Sequence, residues 1–232
     1  MNINRNSPIG LIDSGIGGIS LLKELSKKYP NESYIYLADN QNMPYGNKSA
    51  KFLKNRLLGL INYLYDNYNI KLVILACNTA SSSALEYLQK NAPVKVLGLD
   101  LNILVTDNYQ ILCTRLSSKQ YKHLNTYSPN RLATMIEENI FDKTALTKRI
   151  SKVMSNIDNL TNNIILGCTH YELVASTFIK LYPNKNFILP CKEFVKSLKL
   201  ESQNINTNGS ILMISTIATK SYIDKLWKIY KS

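Results

Sequence analysis

Lys71-Leu-Val-Ile-Leu-Ala-Cys77-Asn78-Thr79-Ala80 is a near-continuous apolar run that stops at a thiol, an amide and a hydroxyl. Such a run fits a strand buried on both faces of a parallel sheet. Ala80 to Lys90, directly after it, reads as a helix. Upstream, Ile9-Gly-Leu-Ile12 reads as a strand, followed by a glycine-rich turn and a helix from Ile19 to Lys28. Tyr34 to Leu37 is the next strand and Lys51 to Asn67 a long helix. Downstream, strands are expected at Val94–Leu97, Gln110–Cys113, Ile164–Leu166, Phe187–Leu189 and Ile211–Ile214. Helices are expected at Arg131–Glu138, Thr144–Ile157, Tyr171–Leu181 and Lys220–Tyr230, with a loop at Asn204–Gly209. Strands alternating with amphipathic helices specify an α/β fold with a largely parallel sheet.

The chain echoes itself once. Val-Ile-Leu-Ala-Cys77-Asn-Thr-Ala and Ile-Ile-Leu-Gly-Cys168-Thr-His-Tyr each lead from a strand, through a small residue and a cysteine, into a helix. Open α/β sheets bind ligands at the carboxyl ends of their strands. Two thiols therefore occupy equivalent local settings there.

The 232 residues give room for one large domain or two small ones. The net charge is +12, from 28 Lys and Arg against 16 Asp and Glu. The basic residues are spread out with no K/R-rich block, so general basicity is preferred over a polyanion site and no nucleic-acid partner is expected. No apolar run reaches the length of a membrane span. Residues 1–8 carry no apolar stretch, so no signal peptide is expected and the reading is a cytoplasmic protein with reduced thiols. Four cysteines without a CxxC pair and two histidines give no zinc pattern, so no metal is expected.

A lone cysteine is most often a small buried hydrophobe, and Cys113 and Cys191 read as that. Cys77 and Cys168 differ, because each sits beside polar groups near an expected helix N-terminus, where dipole and free N–H groups favour a thiolate. His170 is placed to polarise Cys168 or hold a substrate, or is a hydrogen-bonded structural histidine. Asp13 follows the first strand in Leu-Ile-Asp13-Ser14-Gly15-Ile-Gly17-Gly18, as a functional carboxylate or as a helix cap. The glycines match neither the dinucleotide fingerprint nor a Walker A loop.

Four motifs in order resemble the glutamate racemases. They are Ile9-Gly-Leu-Ile-Asp13-Ser14-Gly-Ile-Gly-Gly18; Tyr36-Leu-Ala-Asp39 with Met43-Pro44-Tyr45-Gly46; Ala76-Cys77-Asn78-Thr79-Ala80; and Gly167-Cys168-Thr169-His170-Tyr171. The likeness is close over residues 8–98 and 163–183. It implies an α/β fold of two pseudosymmetric domains with mainly parallel sheets flanked by helices, and a substrate cleft between them. The first domain would be 1–97 plus 211–232 and the second 98–210. It further implies cofactor-independent racemisation of glutamate, supplying D-glutamate for peptidoglycan. Cys77 and Cys168 would be the two bases, with Asp13 and His170 as their helpers in the catalytic set. Ser14, Pro44, Tyr45, Gly46, Asn78, Thr79 and Thr169 match positions that hold the amino acid. The small-molecule substrate is the expected partner, with a homodimer as a compatible assembly.

The second half departs from the family pattern. Only Asp100 to Asn108 stands where a helix is expected, and Cys113-Thr114-Arg-Leu-Ser117-Ser118 matches a threonine-rich substrate loop in part. Thr114 takes one binding role there, with Ser117 and Ser118 as weaker candidates. Glu137 reads equally as a family glutamate or as part of a solvated helix face. The departures keep two alternatives open: an aspartate or broad-specificity racemase, and a relative that binds an acidic ligand or a polyanion without turnover.

Overall fold

The computed structural model describes residues 6–105, 107–157, 161–200 and 208–232. The first half runs β1 (Ile9–Asp13), α1 (Ile19–Lys28), β2 (Tyr34–Ala38), α2 (Ala50–Tyr68), β3 (Leu72–Leu75), α3 (Asn78–Asn91) and β4 (Lys95–Gly98). It continues through β5 (Tyr109–Cys113), α4 (Arg115–Gln120), β6 (Thr126–Tyr127), α5 (Leu132–Asn139), α6 (Lys143–Met154) and β7 (Asn163–Gly167). Then follow α7 (Thr169–Leu173), α8 (Ala175–Leu181), β8 (Asn186–Ile188), α9 (Pro190–Ser197), β9 (Ile211–Ser215) and α10 (Lys220–Lys231).

The strands form two parallel sheets, one ordered β4-β3-β1-β2-β9 and the other β6-β5-β7-β8. Read from its other edge, the second is β8-β7-β5-β6, which repeats the first four positions of the first sheet. β7 thus stands where β3 stands, and β5 where β1 stands. Cys77 and Cys168 therefore follow equivalent strands, as do Ser14 and Thr114.

Alternating side chains of the first sheet feed two cores. Ile9, Leu11, Tyr36 and Ile74 pack with α1, α9 and α10, while Ile12, Leu37, Val73 and Leu75 pack under α2 and α3. α2 shows why its sequence is a helix. Ser49 caps it by accepting from Phe52 N–H at 3.1 Å, and Leu53, Leu57, Leu60, Ile61 and Leu64 form one buried face. Asn69, at φ 50° in the left-handed region, ends it.

The second sheet is covered unequally. Leu112, Ile164 and Leu166 meet α5, α6 and α8 in a full core. On the opposite face Ile111, Cys113 and Ile165 are covered mainly by Leu101 and Tyr121. The segment expected to lack a helix holds a 3-10 turn, Asn102–Leu104.

Two details differ from the sequence reading. The helix expected over Tyr171–Leu181 begins at Thr169 and breaks at Val174, whose φ of −110° and ψ of 20° leave helical geometry. Three short elements were not anticipated: α4, with Ser117 as its one buried residue, the two-residue β6, and α9, which opens on Pro190. α9 also docks on α1, placing Cys191 and Val195 in the first sheet's core, while Lys28 Nζ caps its end through the Val195 and Leu198 carbonyls at 2.7 and 2.9 Å. The loop expected at Asn204–Gly209 lies mostly outside the described residues. No helix among the described residues is long and apolar enough to cross a membrane.

Candidate active site

β1 ends by delivering Asp13, fully buried, into the seam between the sheets. Its Oδ2 accepts from Gly15 N–H at 3.0 Å, so the chain folds tightly over the carboxylate. The turn needs its glycines. A Cβ on Gly18 would stand 2.8 Å from the Cβ atoms of both Asp13 and Ala76. One on Gly17 would run into Thr169 and stand 2.7 Å from His170 Nδ1.

Cys77 is the N-cap of α3, so its sulfur lies beside the backbone N–H groups of Thr79 and Ala80, without a side-chain cap hydrogen bond. Burial pushes the Cys77 thiol up, the charges of Asp13 and Cys168 add to this, and the two N–H groups oppose it. Cys168 is the N-cap of α7. Both sulfur-bearing residues are 5% exposed, and all four cysteines are free. Cys77 and Cys168 are thus both buried at the seam, near enough for the charge of Cys168 to act on Cys77.

The residues after Cys168 reach in opposite directions. Thr169 Oγ1 donates to Asp13 Oδ1 at 3.1 Å, joining the second sheet's site to the first. His170 lies two residues beyond Cys168, within reach of its charge, and its Nε2 stands 2.8 Å from Glu137 Oε2. Burial alone would lower His170, but the charge of Cys168 and the Glu137 bond raise it well above the usual histidine range.

Glu137 is not on a solvated face: it is 6% exposed and accepts from Ile16 N–H at 3.0 Å and Tyr222 O–H at 2.8 Å. Burial would raise its carboxyl, but His170, Ile16 and Tyr222 outweigh that and hold it down to about 2. The dual reading of Glu137 resolves in favour of the site.

A second group of hydroxyls lines up beside the first. Thr79 Oγ1 lies 2.9 Å from Thr114 Oγ1, and Ser117 donates to Thr79 at 3.3 Å. Gly46 abuts Thr114, where a Cβ would be 2.7 Å from Thr114 Cβ. A cavity of ≈520 Å³ opens here, lined by Pro44, Gly46, Thr114, Arg131 and Tyr171. Asn78, 2% exposed, has no hydrogen-bond partner among the described residues for either amide atom. A buried amide left unpaired is costly, so it is a natural contact for a bound polar group. Ser14 is buried directly after Asp13.

Tyr45 is placed differently from its neighbours. Its hydroxyl donates to Asp39 at 2.8 Å, which commits the side chain to the framework. Arg56 holds the same carboxylate at 2.7 and 3.0 Å. Burial would raise Asp39, yet the Arg56, Asn42 and Tyr45 bonds keep it below the usual range. Ser118 is bound to Thr126 at 2.8 Å, apart from the Thr79 group. Local sequence assigns no role to Arg56, nor to Tyr222 and Lys225 on the distant α10, because partners that meet only in three dimensions leave no local signal. Among the described residues no group of three or more His, Cys, Asp or Glu is arranged to hold a metal ion.

No protein-family model matches the chain. It is 31% identical to the glutamate racemase of Sulfurihydrogenibium sp. (strain YO3AOP1), over 94% of this chain and 92% of that one. It is 28% identical to the glutamate racemase of Clostridium botulinum (strain Loch Maree / Type A3), over 99% of both. Among solved structures it resembles glutamate racemase isoform RacE1 from Bacillus anthracis, with a TM-score of 0.84, 24% identity, and 97% and 95% of the two chains covered. It also resembles the Thermus thermophilus glutamate racemase in complex with β-chloro-D-alanine, with a TM-score of 0.85, 22% identity, and coverage of 99% and 94%.

Proposed function

The chain belongs to the glutamate racemase family, and from that premise we propose that it interconverts L- and D-glutamate without a cofactor, using Cys77 and Cys168 as opposed acid and base. One observation carries the reading: two buried thiols stand at equivalent strand ends of two like-ordered sheets, near enough to interact by charge.

The chemistry requires both. One sulfur, as thiolate, takes the Cα proton from one face of the amino acid. The electron pair of that C–H bond is delocalised toward the α-carboxylate. The other sulfur, as thiol, gives its proton to the opposite face, and the two exchange states with each turnover. A positioned acid or base contributes about 10²–10⁴-fold, so donors around the developing charge must supply much of the rest. Asn78, with its unpaired amide, is suited to that, alongside Ser14, Thr79, Thr114 and Thr169. Pro44 and Gly46 bound the adjoining space, and Tyr45 holds that loop through Asp39. Asp13 helps Cys77, and His170 helps Cys168.

The cleft separates residues 1–97 and 211–232 from residues 98–210. Sheet membership supports this division, with α9 reaching back across it. The product D-glutamate would feed peptidoglycan.

Side-by-side turnover is the test. Purified, reduced protein is given L-glutamate and L-aspartate separately, and enantiomeric composition is followed. Glutamate is expected to approach an equal mixture while aspartate stays optically pure. Preferential loss of optical purity from aspartate, or none from either acid, would contradict the proposal.

A further inference from the structure

Glu137 is held from three directions. Ile16 N–H comes from the turn after β1, and His170 from α7. Tyr222 O–H comes from α10, onto Oε1. On the same helix Lys225 Nζ donates to the Glu137 main-chain carbonyl and lies 3.8 Å from Oε1. One carboxylate oxygen therefore faces the imidazole and Ile16, and the other faces the C-terminal helix.

A carboxylate plane with donors on both oxygens has little freedom to rotate. Its orientation fixes the imidazole it bonds, and that imidazole lies two residues from Cys168 and within reach of its charge. Resting on the racemase reading, we infer that Tyr222 and Lys225 are positioning residues for the acid–base pair Cys168–His170, acting through Glu137 from more than 80 residues away in sequence. Neither lines the cavity beside Pro44 and Thr114, so neither is placed to bind substrate there.

The chain of contacts sets the sign of the effect. The charged and titratable groups facing His170 are Cys168, Glu137 and, by its charge, Asp13; Tyr222 and Lys225 lie one step further on. A donor and a cation on Glu137 Oε1 draw carboxylate charge away from Oε2. Removing either leaves more negative charge facing the imidazole, which then holds its proton to higher pH. The same removal loosens the carboxylate plane, so the imidazole meets Cys168 less well.

Tyr222→Phe deletes one hydroxyl and keeps the ring, and Lys225→Met keeps the stem and removes the charge. Each variant is compared with the parent for kcat, KM and their pH profiles on glutamate. Imidazole ¹⁵N NMR titrations of the same proteins read His170 directly, since His123 is the one other histidine. For Tyr222→Phe, kcat is expected to fall about tenfold, short of the ~10²-fold that a whole positioned acid–base group contributes, with KM little changed. The His170 titration is expected to move to higher pH in both variants. Lys225→Arg, which restores the charge, should return it toward the parent. Unchanged kcat and an unchanged His170 titration in both variants would overturn the inference. A fall in kcat with no movement of His170 would overturn it too, since general loosening explains that. If the parent itself does not racemise glutamate, the functional reading fails, while the His170 titrations still decide the positioning network.

Discussion

Glu172 is a carboxyl that the proposed proton transfer does not use. It is buried under α9, with its oxygens accepting from Cys191 N–H at 3.0 and 3.2 Å. Burial raises it to about 8, against the opposing bonds from Cys191. A carboxyl of ordinary pKa in the unfolded chain and about 8 in the folded one binds its proton more tightly when folded. Its contribution is present below the ordinary carboxyl range and is lost as pH rises toward 8. Glu137 has the opposite sign: held down to about 2, it stabilises the fold above the ordinary range and that support fades as pH falls toward 2. Glu172→Gln keeps an acceptor for Cys191 N–H and removes the titration. Its melting temperature is expected to fall less than the parent's between pH 5 and 8, measured by calorimetry in matched buffers. A parallel fall in both proteins would mean that Glu172 does not titrate in that range. Nothing in the local sequence marks Glu172 as buried, because it follows a histidine and a tyrosine in a short polar helix; its burial comes from α9 folding back over it.

The turn between β1 and α1 has to pass between the sheets, and its glycines are chosen by what lies across the gap. Gly17 faces Thr169 and His170 so closely that a methyl group has no room. Gly17→Ala is therefore expected to push α7 away from β1, stretching the Thr169–Asp13 bond and the Ile16–Glu137 bond. Misplacement of reacting groups by about 1 Å can cost 10²-fold. A drop in kcat of about that size is expected, with circular dichroism near that of the parent, and full activity would show that the seam tolerates the methyl. The glycines were legible in the sequence as a tight turn, but their partners were not. α1 and the first-sheet strands were equally legible, since Ile19, Leu22 and Leu25 repeat on one face and β3 is apolar throughout. The break at Val174 was not, because Tyr171, Val174 and Phe178 keep helical spacing while the backbone between them turns. Cys168 consequently heads a five-residue helix and not the longer one expected, so less of its setting comes from a helix dipole and more from His170.

The two halves of the molecule meet through their functional groups. Asp13 with Thr169, Ile16 with Glu137, and Thr79 with Thr114 all cross between the sheets. Hydrogen bonds to charged groups contribute about 1.5–3 kcal/mol each, so the contacts that assemble the site also hold the halves together. Cys77 and Cys168 lie under these contacts, each only 5% exposed. The repeated strand order could be read in part from the echo around Cys77 and Cys168. The thin cover over Ile111 and Ile165 matches the short 100–108 segment. The α10 clasp on Glu137 could not be read, because it joins residues far apart in sequence.

The opposed thiols are tested most directly by following solvent deuterium at Cα during the first turnovers of L-glutamate in D₂O. If one sulfur removes the proton and the other delivers one to the opposite face, the first D-glutamate formed carries deuterium while the remaining L-glutamate keeps its proton. Deuterium appearing equally in both enantiomers from the outset would mean that a single base serves both faces, and would contradict the assignment of Cys77 and Cys168.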